Sequence, residues 1–157
     1  MRILVDAMSG DNAPLEILKG TAMAAAEFSE DTFILVGNEG EIQRIAQEAG
    51  ISLAGMTVRH TEGVVTMNDD PIASVRNKKD SSMMVALRML ADGEGDVVVS
   101  AGNTGALFTG ASLIVRKLKG ISRAAIGTVL PFKPPVLLLD SGANLVINED
   151  IMVQFAH

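Results

Sequence analysis

No cysteine occurs among the 157 residues, and tryptophan and tyrosine are missing as well. Without thiols the chain has no structural disulfide, no thiolate metal site and no cysteine acyl-enzyme. That composition fits a reducing compartment, and a cytoplasmic location is the expectation. Phe, at 5 residues, supplies all the large aromatic surface, so platforms for stacking nucleic-acid bases are scarce. Positive charge is scarce too: 13 basic against 19 acidic side chains leave a net charge of -6. That is the wrong sign for a surface that must displace counterions from phosphate backbones, which argues against nucleic acid as a partner. The two histidines, His60 and His157, lack the H-x-x-x-H spacing, so no metal site is expected. No window approaches the ~18 uninterrupted apolar residues of a membrane-crossing helix. The apolar start Met1–Val5 is cut by Asp6 too early for a signal peptide.

What the chain has is a series of short apolar runs: Ile3–Val5, Phe33–Val36, Val97–Val99, Ile126–Leu130 and Val136–Leu139. They do not alternate polar with apolar, which is the pattern of strands buried on both faces of a parallel sheet. A weaker strand is predicted over Met56–His60. Helical spacing links Ile42, Ile45, Ala46 and Ala49, with Gly50 placed as a left-handed C-terminal cap. A second stripe, Met83, Met84, Leu87, Leu90 and Ala91, opens on the capping candidates Asp80, Ser81 and Ser82. A third joins Leu107, Ala111, Ile114, Val115 and Leu118, with Gly120 beyond it. A fourth runs from Leu15 to Phe28, entered through Asn12 and Pro14 as cap and first-turn residues. Strand and helix alternate, so the expected class is α/β with a mostly parallel sheet. The length suits a single domain, 1–157, and Lys133-Pro134-Pro135 reads as a connection within it. Glu149–His157 reads as the first two turns of a helix, so the expectation is the N-terminal portion of a longer protein.

In open α/β sheets, ligands bind beyond the carboxyl ends of the strands. Three predicted strands run there into small polar residues: Asp6–Pro14, Ser100–Gly105 and Asp140–Asn144. Glycine lets backbone N–H groups approach a ligand, and a helix start adds partial positive charge, which suits phosphate or a developing oxyanion. Strand-to-helix turns favour the same residues for their own geometry. No G-x-x-x-x-G-K-[ST] loop and no G-x-G-x-x-G turn is present. Asp6, Asp11 and Asp140 have the chemistry for a hard cation, but helix capping is the preferred reading. His60 reads as a packing or surface residue. Arg76-Asn77-Lys78-Lys79-Asp80-Ser81-Ser82 concentrates cations ahead of a predicted helix, either a solvated loop or an anion site.

Taken in order, Val5–Pro14, Arg76–Met83, Ser100–Ala106 and Leu139–Asn144 resemble the motifs of the bacterial PlsX-type phosphate acyltransferases, and Gln154-Phe155-Ala156 resembles that family's next helix. The resemblance spans essentially the whole chain. The family usually has Gly where Ser9 stands, and commonly Val-Gly-Ala-Asn where Ser141–Asn144 stands. It implies a three-layer αβα fold like isopropylmalate dehydrogenases and phosphotransacetylases. It also implies transfer of a long-chain acyl group from acyl carrier protein to inorganic phosphate for phospholipid synthesis, a homodimer, and peripheral membrane association through a portion beyond this chain. No Ser-His-Asp triad is required, since phosphate is itself the nucleophile, and no metal or cofactor is expected. On this reading Asn103, Thr104, Lys79 and Asp140 are the catalytic candidates. Asp6, Gly10, Asp11, Asn12, Arg76, Lys78, Ser81, Ser82, Ser100, Gly102, Gly105 and Asn144 are the phosphate- and substrate-binding candidates. Two other readings stand beside it: a fragment that binds phosphate or carrier protein without turnover, and an enzyme of the same architecture such as a phosphotransacetylase using coenzyme A or a decarboxylating dehydrogenase. Arg116-Lys117-Leu118-Lys119 is a candidate docking patch for carrier protein, although cations at a helix C-terminus are the preferred explanation.

Overall fold

A computed structural model describes residues 1–156; His157 lies outside the described residues. The chain divides into two compact units, Met1–Val115 and the part from Arg116 onward.

In the first unit four parallel strands, β1 (Arg2–Asp6), β2 (Thr32–Gly37), β3 (Thr57–His60) and β4 (Val97–Val99), form one sheet in the order β3-β2-β1-β4. Ile3 pairs with Phe33 on one side and Val97 on the other, which fixes the register of the sheet's centre. Helices α1 (Leu15–Glu27) and α2 (Glu39–Ala49) cover one face. There Val5, Leu18, Phe33, Leu35, Ile42 and Ala46 form a buried cluster. Helix α4 (Ser82–Ala91) covers the other, packing Ala86 and Met89 on Leu4 and Val36. Helices α3 (Pro71–Asn77) and α5 (Thr104–Gly110) complete the unit, and Met83, Met84 and Leu87 of α4 pack against Ala106. Both faces of β1 and β2 are covered, which is why their sequences are unbroken apolar runs.

Local signals explain most boundaries. Asn38 caps α2 by accepting the Glu41 N–H, and Gly50 ends it in the left-handed region at φ 66°. Ser81 caps α4 through the Met84 N–H. Asn12 does not cap α1: Pro14 takes that position without a side-chain cap, and only the Asn12 carbonyl serves the helix, accepting from Glu16. The stripe through Leu107 is shorter than its spacing predicts. After Gly110 the chain widens into a π-helical turn, Ala111–Val115, and turns away at Arg116, whose φ is 73°. Leu118, the next residue on the stripe, is 81% exposed and finds no core to bind. Arg116–Lys119 follows directly on Val115, the last residue of that helical stretch.

The second unit holds β5 (Gly127–Leu130) and β6 (Val136–Leu139), paired antiparallel with Gly127 opposite Leu139, and α6 (Glu149–Ala156). Both strands form as predicted, but they build a separate two-stranded sheet instead of extending the parallel one. Val136, Leu137, Leu138 and Leu139 are all exposed. An apolar run marks a strand meant for cover on both faces, and the described residues do not supply that cover. No helix of the described residues is long and apolar enough to cross a membrane.

Candidate active site

Strands β1 and β4 are neighbours, so the turns that leave their carboxyl ends lie side by side. Asp6, the last residue of β1, is fully buried, and Ser100 just past β4 donates its hydroxyl hydrogen to Asp6 Oδ2 at 2.7 Å. Ser100 Oγ in turn accepts the Gly102 N–H at 3.2 Å. The two turns also interlock sterically. Gly10, at φ +127°, rests on Ala101, and a Cβ on Gly102 would come within 2.5 Å of the Ser9 Cβ and 2.9 Å of the Met83 Cε. Glycine at 102 is thus required by close approach, and Asp6, Ser9, Met83, Ser100 and Gly102 form one small cluster.

Asn103 continues from that cluster as the cap of α5. Its Oδ1 accepts the Ala106 N–H at 3.0 Å, and its Nδ2 faces the carbonyls of Thr66, Met67 and Asp69 at 3.2–3.3 Å. The loop from Thr61 to Asp70 is held at the same edge by a second anchor. Asp69 Oδ2 accepts from Lys78 Nζ at 2.6 Å and from the N–H and hydroxyl of Thr66. The Lys78 ammonium, then the two Thr66 donors, hold the Asp69 carboxyl down at about 2. Lys78 Nζ also donates to the Val64 carbonyl at 3.0 Å. Gly63 bridges to Ser81, and Ser82 N–H donates to the Gly63 carbonyl at 3.1 Å, which draws the loop to the start of α4.

Of the residues singled out from the sequence, Asp6, Gly10, Ser81, Ser82, Ser100, Gly102, Asn103, Thr104 and Gly105 are brought to the turns and helix starts at this edge. Asp11 and Asn12 lie exposed in the turn before α1. Arg76 and Lys79 are exposed, and neither forms an ion pair among the described residues; Lys79 gives its carbonyl to Arg88. Asp140 and Asn144 belong to the second unit, where they lock their own turn. Asp140 accepts the N–H groups of Ala143 and Asn144, and Asn144 Nδ2 donates to the Ala124 carbonyl at 2.9 Å. β6 being in a separate sheet, the Asp140–Asn144 turn does not leave the same sheet as the other two turns. His60 receives the Glu39 N–H on Nδ1 and meets Glu62 through Nε2, a surface arrangement that engages both ring nitrogens.

Two features modify the sequence picture. The Asn103 amide is engaged on both its atoms, so it is a positioning group for α5 and the Thr66–Asp69 loop. Conversely, Asp6 Oδ1, Ser9 Oγ, Thr61 Oγ1 and Ser82 Oγ are buried without a hydrogen-bond partner. Buried polar groups are almost always satisfied; of these four, Asp6 and Ser9 lie at the end of β1 and its turn, Thr61 follows β3 and Ser82 opens α4. With them stand the Met83 amide of α4 and the Thr104 and Gly105 amides of α5; the other first-turn amides are taken, Ser82 N–H by the Gly63 carbonyl, Met84 N–H by Ser81 Oγ and Ala106 N–H by Asn103 Oδ1. The sequence reading passed over Thr66, Asp69 and helix α3. The available signal was Asp70-Pro71, a capping residue followed by a first-turn proline; Asp70 Oδ1 does accept the Ala73 N–H at 2.7 Å.

A family model described as fatty acid synthesis protein matches residues 1–157. The phosphate acyltransferase of Thermoanaerobacterium thermosaccharolyticum is 45% identical over 99% of this chain and 46% of its own length. That of Acetivibrio thermocellus is 41% identical over 93% of this chain and 43% of its own. The chain belongs to the PlsX family of phosphate acyltransferases. It spans about half the length of these PlsX relatives. Among solved structures, the EutD phosphotransacetylase of Staphylococcus aureus matches with TM-score 0.67 and a phosphotransacetylase of Streptococcus pyogenes with 0.69. Each is 16% identical over 99% of this chain, and the match covers 50% and 51% of them. At that identity they show the fold, a mostly parallel sheet flanked by helices.

Proposed function

We propose that residues 1–157 carry the phosphate-binding edge of an acyltransferase that moves a long-chain acyl group from acyl carrier protein to inorganic phosphate. The observation that carries this reading is the 45% identity to a phosphate acyltransferase along 99% of the chain. The orphaned polar atoms and amide-rich turns at the carboxyl edge of the sheet support it. In this reaction phosphate oxygen attacks the thioester carbonyl, the tetrahedral oxyanion collapses, and the carrier thiolate leaves. No side-chain nucleophile is needed; holding the two substrates together and stabilising the oxyanion lower most of the barrier.

The assignments divide by function. The Ser82 hydroxyl and the Met83 amide of α4, with Thr104 and Gly105 of α5, are the donors for phosphate or the oxyanion. Arg76 and Lys79, exposed and unpaired, draw the dianion in. Asp6, Ser100, Gly102 and Asn103 fix the turn that presents those donors, and Gly10, Asp11, Asn12, Lys78 and Ser81 shape the turns around it. Asp140 and Asn144 hold the Asp140–Asn144 turn, their place in the chemistry being part of the proposal. Homodimerisation, a cytoplasmic location and peripheral membrane contact belong to the same reading.

The test is a chimera in which residues 1–157 replace the matched region of the T. thermosaccharolyticum relative. Carrier-protein thiol released from a long-chain acyl carrier protein is measured with and without inorganic phosphate, and acyl phosphate is trapped with hydroxylamine. Phosphate-dependent release is expected. Release that ignores phosphate, or that occurs with acetyl-coenzyme A but not with acyl carrier protein, would overturn the reading.

A further inference from the structure

Strand β4 is apolar on both faces but covered on one. Val98 packs into the clusters under α4 and α5, whereas Val99, on the face shared with α1 and α2, is 51% exposed. A Val-Val-Val strand in a parallel sheet is the pattern of double cover. Beside Val99 on that face runs an open groove of about 340 Å³, floored by Ile3, Val5 and Phe33 and walled by Ile17 and Gly20 of α1 and by Phe28 just past its end. Phe28 at its end is 52% exposed. Gly20 lies inside a helix, where glycine is unfavourable, and a Cβ there would meet nothing within 4 Å. A small residue at that position lets a neighbouring element approach the α1 backbone.

We infer that this groove is the seat of an amphipathic helix supplied by the half of the PlsX chain that residues 1–157 do not span. The occupant is a helix because faces of parallel sheets are closed by helices, and α1 and α2 already cover the neighbouring strands on this face. It comes from that half because the relatives carry roughly as much chain again as they share with this one. The inference rests on family membership and is independent of the proposed reaction.

Peptides of roughly 20 residues, long enough to span a small domain as a helix, are tiled over the unmatched part of the T. thermosaccharolyticum relative. Each is titrated into this chain with methyl-labelled Ile and Val. One amphipathic tile is expected to shift the methyl signals of Ile3, Ile17 and Val99, leave Ile34 on the opposite face unmoved, and slow hydrogen exchange in α1. Gly20→Trp, whose Cβ meets nothing within 4 Å, is expected to weaken that tile by about tenfold or more while the thermal midpoint of the chain holds. Val99→Thr, a polar near-isostere, weakens it less. The inference fails if no tile moves those methyls, or if Gly20→Trp leaves tile binding unchanged. It also fails if decanoate moves them where no tile does, which would mark an acyl-chain pocket, or if they shift with chain concentration alone, which would mark a second copy.

Discussion

Ser100 and Asp6, 94 positions apart, meet at 2.7 Å where β4 and β1 end, and the Ser100 oxygen then receives the Gly102 N–H. The pair joins two turns that the sheet alone would leave independent. Ser100→Ala strips the sole recorded partner from a fully buried carboxyl group whose other oxygen already has none. A loss of about 1–3 kcal/mol of stability is expected, the range for an orphaned buried acceptor. Urea denaturation measures it, and a change below about 0.5 kcal/mol, the level of an ordinary surface substitution, would deny the bond its structural role.

Asn103 does two jobs, and they are separable. Asn103→Ser keeps an oxygen to cap α5 but gives up the contacts with the Thr66, Met67 and Asp69 carbonyls. Asn103→Ala gives up both. The Ala variant should lose about 2–3 kcal/mol, a cap plus one buried tether, and the Ser variant about half of that. Hydrogen exchange across residues 66–69 should accelerate in both variants. Slow exchange there in either one would contradict the tether.

Acid should loosen the same loop. The Asp69 carboxyl is lowered from 3.8 to about 2 by Lys78 and Thr66. A group whose value is depressed by folding stabilises the fold above its unfolded value and stops doing so as pH falls through the folded one. The Asp69 contribution is therefore complete above about pH 4 and lost towards pH 2. Lys78→Met should flatten that part of the stability curve, leaving the curve above pH 5 parallel to the parent's. A parallel fall below pH 4 in both proteins would assign the acid sensitivity to other carboxyl groups.

Gly102 and Ser9 should show coupling. Gly102→Ala places a Cβ within 2.5 Å of the Ser9 Cβ and should cost about 1–3 kcal/mol, as overpacking does. Ser9→Gly removes the obstacle together with an unpartnered buried hydroxyl. In the double variant about half or more of the Gly102→Ala cost should return, an interaction energy within the usual range for touching residues. Strict additivity would mean that the two turns do not press on each other.

The parallel sheet was readable because β1, β2 and β4 carry unbroken apolar runs, α2 because Ile42, Ile45, Ala46 and Ala49 share a face ahead of Gly50, and α4 because Ser81 opens its apolar stripe. Of the site, the turns at Asp6–Asn12 and Ser100–Gly105 were readable from their small polar residues. The role of Asn103 was not, since its tether reaches the Thr66–Asp69 loop, whose position depends on the Lys78–Asp69 ion pair and the Gly63–Ser81 bridge, contacts without sequence periodicity. Lys78 illustrates the same limit. Its charge suggested an anion site, and in the fold it is paired to Asp69. The overlong helix through Leu118 failed for another reason: spacing continued past the point where packing partners ended.

The account stands on the claim that the carboxyl edge of the first unit receives phosphate. A titration of the isotopically labelled chain with inorganic phosphate, followed through its amide signals, tests it most directly. Saturable shifts centred on Ser82, Met83, Thr104 and Gly105, lost in a Ser82→Ala, Lys79→Ala double variant that stays folded, are predicted. An absence of saturable shifts at those amides, or shifts confined to Arg116–Lys119, would contradict it.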